Sequence, residues 1–442
     1  MVQGSKGPRV LGVLAGAAAV LAAAECGMRQ QSPVPALGPV ATLKIAGADN
    51  RGVSIAASDM LVVAAWAATT GESTNIYAAV SENAGASFGA PVRVNDVDGD
   101  ARVNGEQPPR VAVGKDIVVA WQSRRTGVSQ VRLARSTDLG RAFAPAITVH
   151  DATLTGARGW SSLVLDADGA AHIAWLDGRN ATRLRADASA GRLPGLAAKK
   201  PAAQAQMPAG GHAHSEPTRQ DIFQASVRPD GARAEASVAT NVCFCCKTSV
   251  AAGPNGAVFV AWRHIYPVNL RDMAVAASTD GGRTFGPPIR VSEDGWQLEG
   301  CPEDGPSIGV DRSGAVHIAW PTLADVKSET QRKGIFYSVS TDGGRTFAPR
   351  VRLDDGDVKN AAHPQLSIVD GRPVVVWDES GPAGPRIRAR RIGEPAFTAF
   401  EGEPVTYPSV AATPTGLVTA WTATTPGGSE IRVRKLAVGP AR

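Results

Sequence analysis

Ser278-Thr279-Asp280-Gly281-Gly282-Arg283-Thr284-Phe285 returns almost letter for letter as Ser340-Thr341-Asp342-Gly343-Gly344-Arg345-Thr346-Phe347. Looser copies read Ser136-Thr137-Asp138-Leu139-Gly140-Arg141-Ala142-Phe143 and Ser81-Glu82-Asn83-Ala84-Gly85-Ala86-Ser87-Phe88. The Asp or Asn side chain can bond N–H groups of its own turn, Gly supplies a positive φ, and Phe plugs a core. The stretch therefore reads as a tight turn between two strands, repeated along the chain.

Working outward, seven short apolar strands close on a tryptophan: Trp66, Trp121, Trp175, Trp262, Trp320, Trp377 and Trp421. The spacing is about 55 residues, the size of a four-stranded propeller blade, except for 87 between Trp175 and Trp262 and 44 between Trp377 and Trp421. The excess before Trp262 predicts an inserted, flexible loop at about 177–220, rich in Ala, Gly and Pro. Each repeat reads as a first strand (Arg110–Val113), the Trp strand, a third strand (Asn75–Val80) and a fourth (Pro91–Val94). The last repeat stops after its third strand, Ile431–Leu436, and Val40–Ile45 has no repeat of its own. That orphan strand would complete the last blade and close the ring, which removes exposed sheet edges. The expected fold is all-β, a seven-bladed propeller over 38–442, with six blades as the alternative if the Trp421 repeat packs otherwise.

Composition agrees. Gly and Pro make up 79 of 442 residues (48 plus 31), too punctuated for a coiled coil and below the level of a low-complexity chain. The net charge of +5 is scattered rather than striped, which excludes nucleic acid as a partner. One long apolar run, Val10–Ala24, follows Lys6 and Arg9 and ends on Ala22-Ala23-Ala24. This is the layout of a signal peptide, 1–24, followed by a linker, 25–37. It predicts export to the periplasm or cell envelope. Cys26 is a candidate for lipidation, the one expected link to a membrane. A monomer is expected.

The turn motif resembles the Asp-box, or BNR repeat, of the sialidase superfamily. The resemblance covers nearly the whole chain after residue 24 and carries the fold more than the function. It implies a substrate carboxylate held by three arginines, a Tyr nucleophile activated by Glu, and an Asp acid. Arg51, Arg263 and Tyr407 stand in the registers of two arginines and the nucleophile. Cys245, Cys246 and Lys247 fall where the activating Glu belongs, and Glu303 and Asp304 where the third arginine belongs. A weak phenol nucleophile needs a base, so sialic-acid hydrolysis is not expected.

Aligning the repeats on Ile55, Val111, Leu163, Val250, Ile308, Leu366 and Val410 gathers the preceding residues at one mouth of the channel. Glu106, Arg158, Trp160, Lys247, Glu303, Asp304 and His363 are the candidate binding residues there, suited to a glycan or another polar small ligand. The cysteines share this register. Cys243 and Cys301 each lie seven residues before the matching strand position of consecutive blades. In an exported protein this predicts a Cys243–Cys301 disulfide and no cofactor. The alternative is a soft copper or zinc site built from Cys243, Cys245, Cys246 and Cys301 with Met207, His212 and His214 of the insertion. Function is accordingly read as glycan binding or a diverged glycoside hydrolase. A metal- or redox-linked envelope protein and a protein-interaction scaffold stand as alternatives.

Overall fold

The computed structural model describes residues 37–190, 192, 220–243, 245–297, 304–324, 332–356, 359–381, 384–401, 405 and 407–436. The expected signal peptide, most of the expected linker, Cys26, Met207, His212, His214, Cys301 and Glu303 lie outside them.

Seven antiparallel sheets form seven blades. Their first strands are Asp49–Ser58, Arg110–Val113, Arg158–Leu165, Ser249–Ala252, Ser307–Val310, Lys359–Val369 and Ser409–Thr413. Each first strand contacts the first strand of the next blade, and the seventh returns to the first. Blade 7 is closed by Leu37–Leu43, which pairs antiparallel with Gly428–Leu436 in the register Val40–Arg434 and Leu43–Ile431. The orphan strand thus does what its lack of a repeat requires, starting three residues earlier than expected and ending at Leu43.

The core is divided among the seams between blades. Seven apolar clusters each draw on two neighbouring blades, and each contains one of the seven tryptophans. An indole N–H buried in such a seam needs an acceptor. Three blades supply it two residues downstream: Trp175 donates to Asp177 (2.8 Å), Trp262 to His264 (3.1 Å) and Trp377 to Glu379 (2.7 Å). Trp66, Trp121 and Trp320 donate to Asn50, Asp100 and Asp294.

The repeated turns fold as their residues dictate. Ser278 Oγ accepts the Gly282 N–H at 2.9 Å and donates to Asp280 Oδ1, which also accepts from the N–H groups of Arg283 and Thr284. Ser340 and Asp342 repeat the pattern. The looser copies keep its centre, with Gly140 N–H on Ser136 and Gly85 N–H on Ser81. These bonds hold the Asp280 and Asp342 carboxyls well below the usual carboxylate range; the bond from the threonine hydroxyl is the largest cause in each.

The insertion in blade 3 is not all loop. It opens with the helix Arg179–Ser189, whose first turn is capped by Asp177 Oδ1 accepting the Arg179 N–H at 2.8 Å. The third strand of that blade begins at Gln220.

Candidate functional site

Each first strand contributes a polar residue to the lining of a central cavity of about 180 Å³: Ser54, Arg110, Ser162, Ser249, Ser307, Gln365 and Ser409. Four of the serines also stitch the blades together. Ser409, Ser54, Ser249 and Ser307 accept the N–H groups of Ile55, Val111, Ile308 and Leu366 at 2.9–3.1 Å. Two residues before each lining position stand Gly52, Pro108, Trp160, Lys247, Gly305, His363 and Tyr407. Gly52, Trp160, His363 and Tyr407 all have φ between +51° and +64°. Glycine takes that conformation freely, whereas Trp, His and Tyr are strained in it. The ladder register shifts just here in blades 1, 3 and 6. In blades 3 and 6 the bulge re-aims a side chain, Trp160 and His363, at the channel mouth.

A buried charge network fills the mouth. His363 bonds Asp378 through Nδ1 (2.7 Å) and Glu106 through Nε2 (3.0 Å). Its backbone N–H donates to Asp304. Lys247 Nζ lies 3.8 Å from Glu106 and 3.5 Å from Asp304, and Lys333 donates to Asp304 at 2.8 Å. Burial alone would neutralise His363, but the bonds to Asp378 and Glu106 and the charge of Asp304 outweigh it and raise its pKa to about 9. Burial likewise opposes ionisation of Asp304, yet Lys333, Lys247 and His363 hold it well below the carboxylate range. Burial raises Asp378, against the pull of His363. Arg110 is pushed down to about 10 by burial. Tyr407 lies over this network, its ring 4.0 Å from that of His363, and packs so tightly on Gly105 that a side chain there would collide with it.

Two oxygens in the network lack a hydrogen-bond partner among the described residues: Glu106 Oε2 and Asp304 Oδ1, both buried. Each faces Lys247 at ion-pair range only. A polar pocket of about 310 Å³ opens between blades 2 and 3, lined by Arg102, Gln107, Gln122, Arg124, Ser129 and Trp160 among others.

The expected site residues divide. Glu106, Lys247, Asp304 and His363 come together as the repeat alignment predicts, and Trp160 lines the adjoining pocket. Arg263 does not serve as a substrate arginine. It is fully buried and donates to the carbonyls of Arg271 (2.9 Å) and Pro321 (2.6 Å), with its guanidinium stacked on Trp296. Arg158 is likewise spent on Asp177 and on the carbonyls of Gly156 and Leu154. Arg51 is exposed and paired with Asp49. Tyr407 reaches the mouth, where its ring lies against His363. Asp378, Lys333 and Arg110 were not among the expected residues. Asp378 directly follows Trp377, the same offset that marks Arg263 after Trp262, and that signal was available in the sequence.

The cysteines correct the predicted pairing. Cys243 and Cys246 hold free thiols, so Cys243 is not in a disulfide with Cys301. Cys243 Sγ lies 3.3 Å from Cys246 Sγ and 3.5 Å from Cys245 Sγ, and all three sulfurs are buried within 4.8 Å of one another. Of the proposed soft-metal set, these three are the members the structure describes, and Cys245 is itself disulfide-bonded, which leaves two free thiols among them. The thiol proton of Cys246 lowers Cys243 to about 6 against the effect of burial, aided by the Cys245 N–H and the charges of Arg271 and Arg263. Burial, and its bond to Cys243, push Cys246 well above the ordinary thiol value.

No protein-family model matches the sequence, and no curated protein matches it. Among solved structures, the chain is similar to a protein of unknown function from Dyadobacter fermentans, at 15% identity and TM-score 0.45, over 76% of this chain and 97% of that one. A Hadza microbial sialidase is 14% identical with TM-score 0.48, over 78% and 66%. An α-L-arabinanase of Penicillium chrysogenum, complexed with arabinobiose, is 14% identical with TM-score 0.44, over 82% and 98%. These likenesses concern the fold alone.

Proposed function

We propose that the protein is an exported, monomeric glycan-binding propeller of the cell envelope, and that its ligand is an acidic glycan seated at the channel mouth. The observation that carries this reading is the pair of unsatisfied buried oxygens, Glu106 Oε2 and Asp304 Oδ1, flanking Lys247. A buried acceptor left unbonded costs about 1–3 kcal/mol. A sugar hydroxyl donates to such an oxygen and accepts from an ammonium, so it fits the gap. Trp160 offers a wall for a sugar ring, and Arg102 and Arg124 offer charge for a carboxylate. The leader at 1–24 supports export. The reading needs no cofactor.

Binding is favoured over turnover by His363. Raised to about 9, it is a cation at neutral pH and cannot take the Tyr407 proton. Purified protein should leave a fluorogenic sialoside intact, and a screen of acidic and neutral oligosaccharides should return acidic binders. Robust sialoside turnover that Tyr407→Phe abolishes would overturn the binding reading in favour of hydrolysis.

A further inference from the structure

We propose that Cys243 and Cys246 form a reversible dithiol–disulfide pair built into the channel mouth. Both thiols are free, both are buried, and their sulfurs stand 3.3 Å apart. A disulfide bond is about 2.05 Å long, so closure asks for an approach of only about 1.3 Å. The spacing Cys243-Phe244-Cys245-Cys246 places two residues between the pair, the separation that lets one turn present two sulfurs to each other. The hydrogen bond fixes their roles. Cys246 donates and Cys243 accepts, so Cys243 is the sulfur favoured as thiolate and Cys246 the one that resolves. Trp160 and Ile265 pack around the sulfurs.

The oxidant is a small disulfide, RSSR. The Cys243 thiolate attacks one of its sulfurs, forming Cys243–S–S–R and releasing the first RS⁻. The Cys246 sulfur, having given up its proton, attacks Cys243 Sγ, forms the Cys243–Cys246 bond and expels the second RS⁻. The protein loses two electrons and two protons, and the small disulfide gains them as two RSH. Lys247 follows Cys246 directly, so closure pulls on the backbone that carries the ammonium between Glu106 and Asp304. That consequence rests on the glycan reading; the pair itself does not.

The test uses the full chain, reduced, freed of reductant and assayed for bound zinc and copper. It is then exposed to oxidised glutathione, alkylated and mapped by mass spectrometry. The expected result is loss of the Cys243 and Cys246 thiols, an internal bond assigned to that pair beside the re-formed Cys245 disulfide, and full recovery with dithiothreitol. In Cys246→Ser the reaction should stop at a stable glutathione adduct on Cys243. The proposal is overturned if both thiols remain alkylatable, if Cys243 or Cys246 is found bonded to Cys245 or Cys301 instead of to each other, or if a stoichiometric metal ion holds the sulfurs. The wild-type result decides the matter even if the variant misfolds, and it is independent of whether any glycan binds.

Discussion

His363 concentrates the chemistry of the mouth in one side chain. A free imidazole titrates near 6.5, and here the pKa is raised to about 9. The fold therefore favours the protonated form. Its contribution is complete below about pH 6.5 and is lost as pH rises through about 9, at most about 3 kcal/mol. Denaturation at pH 6 and pH 9.5 should show wild type losing stability over that window and His363→Gln losing clearly less. Equal slopes would mean that the histidine is not held as a cation. A second residue test concerns the repeated turn. Ser278→Ala strands the buried Gly282 N–H and should cost about 1–3 kcal/mol in urea unfolding. A neutral result would show that the Asp280 bonds alone hold the turn. At this scale the sequence was informative where a residue type has one local use. The turn's Ser, Asp and Gly were read correctly because their partners lie within four residues. Arg263 was misread because its partners, the carbonyls of Arg271 and Pro321, come from the connection to the next strand and from another blade.

Strands were legible because apolar alternation and turn residues mark them locally. The closing strand was legible by subtraction, since one repeat lacked a fourth strand and one segment lacked a repeat. Deleting residues 37–43 should expose the edge of Gly428–Leu436 and unbury Leu43 and its neighbours in the blade 1–7 seam. We expect a loss of about 3 kcal/mol or more, read by calorimetry as one cooperative shift of the whole ring. A truncated protein that melts like the parent would place closure elsewhere. The helix Arg179–Ser189 escaped the reading because its residues sit in a stretch whose Ala, Gly and Pro content signals a loop. What starts it is the Asp177 cap, the first residue of the expected loop, which the structure makes the last residue of the preceding strand. The cysteine register set Cys243 opposite Cys301, whereas Cys243 holds a free thiol. It could not foresee that Cys246 comes to within 3.3 Å of the Cys243 sulfur.

Over the whole molecule, seven seams do the work of one core, and the channel is where seven first strands end together. The ring of positions at Gly52, Pro108, Trp160, Lys247, Gly305, His363 and Tyr407 turns a sequence repeat into a converging set of side chains. Repeat alignment could list the residues of that ring. It could not show which carboxylate oxygens remain unsatisfied, because that depends on distances between blades 2, 4, 5 and 6. The central claim is that this mouth and its adjoining pocket bind an acidic glycan. Isothermal titration of the best-binding oligosaccharide into wild type and Trp160→Ala tests it most directly. The account predicts saturable binding to wild type and a loss of at least about tenfold in the variant, or about 1.4 kcal/mol. Equal affinity in the two proteins, or no binding by wild type to any acidic glycan, would contradict it.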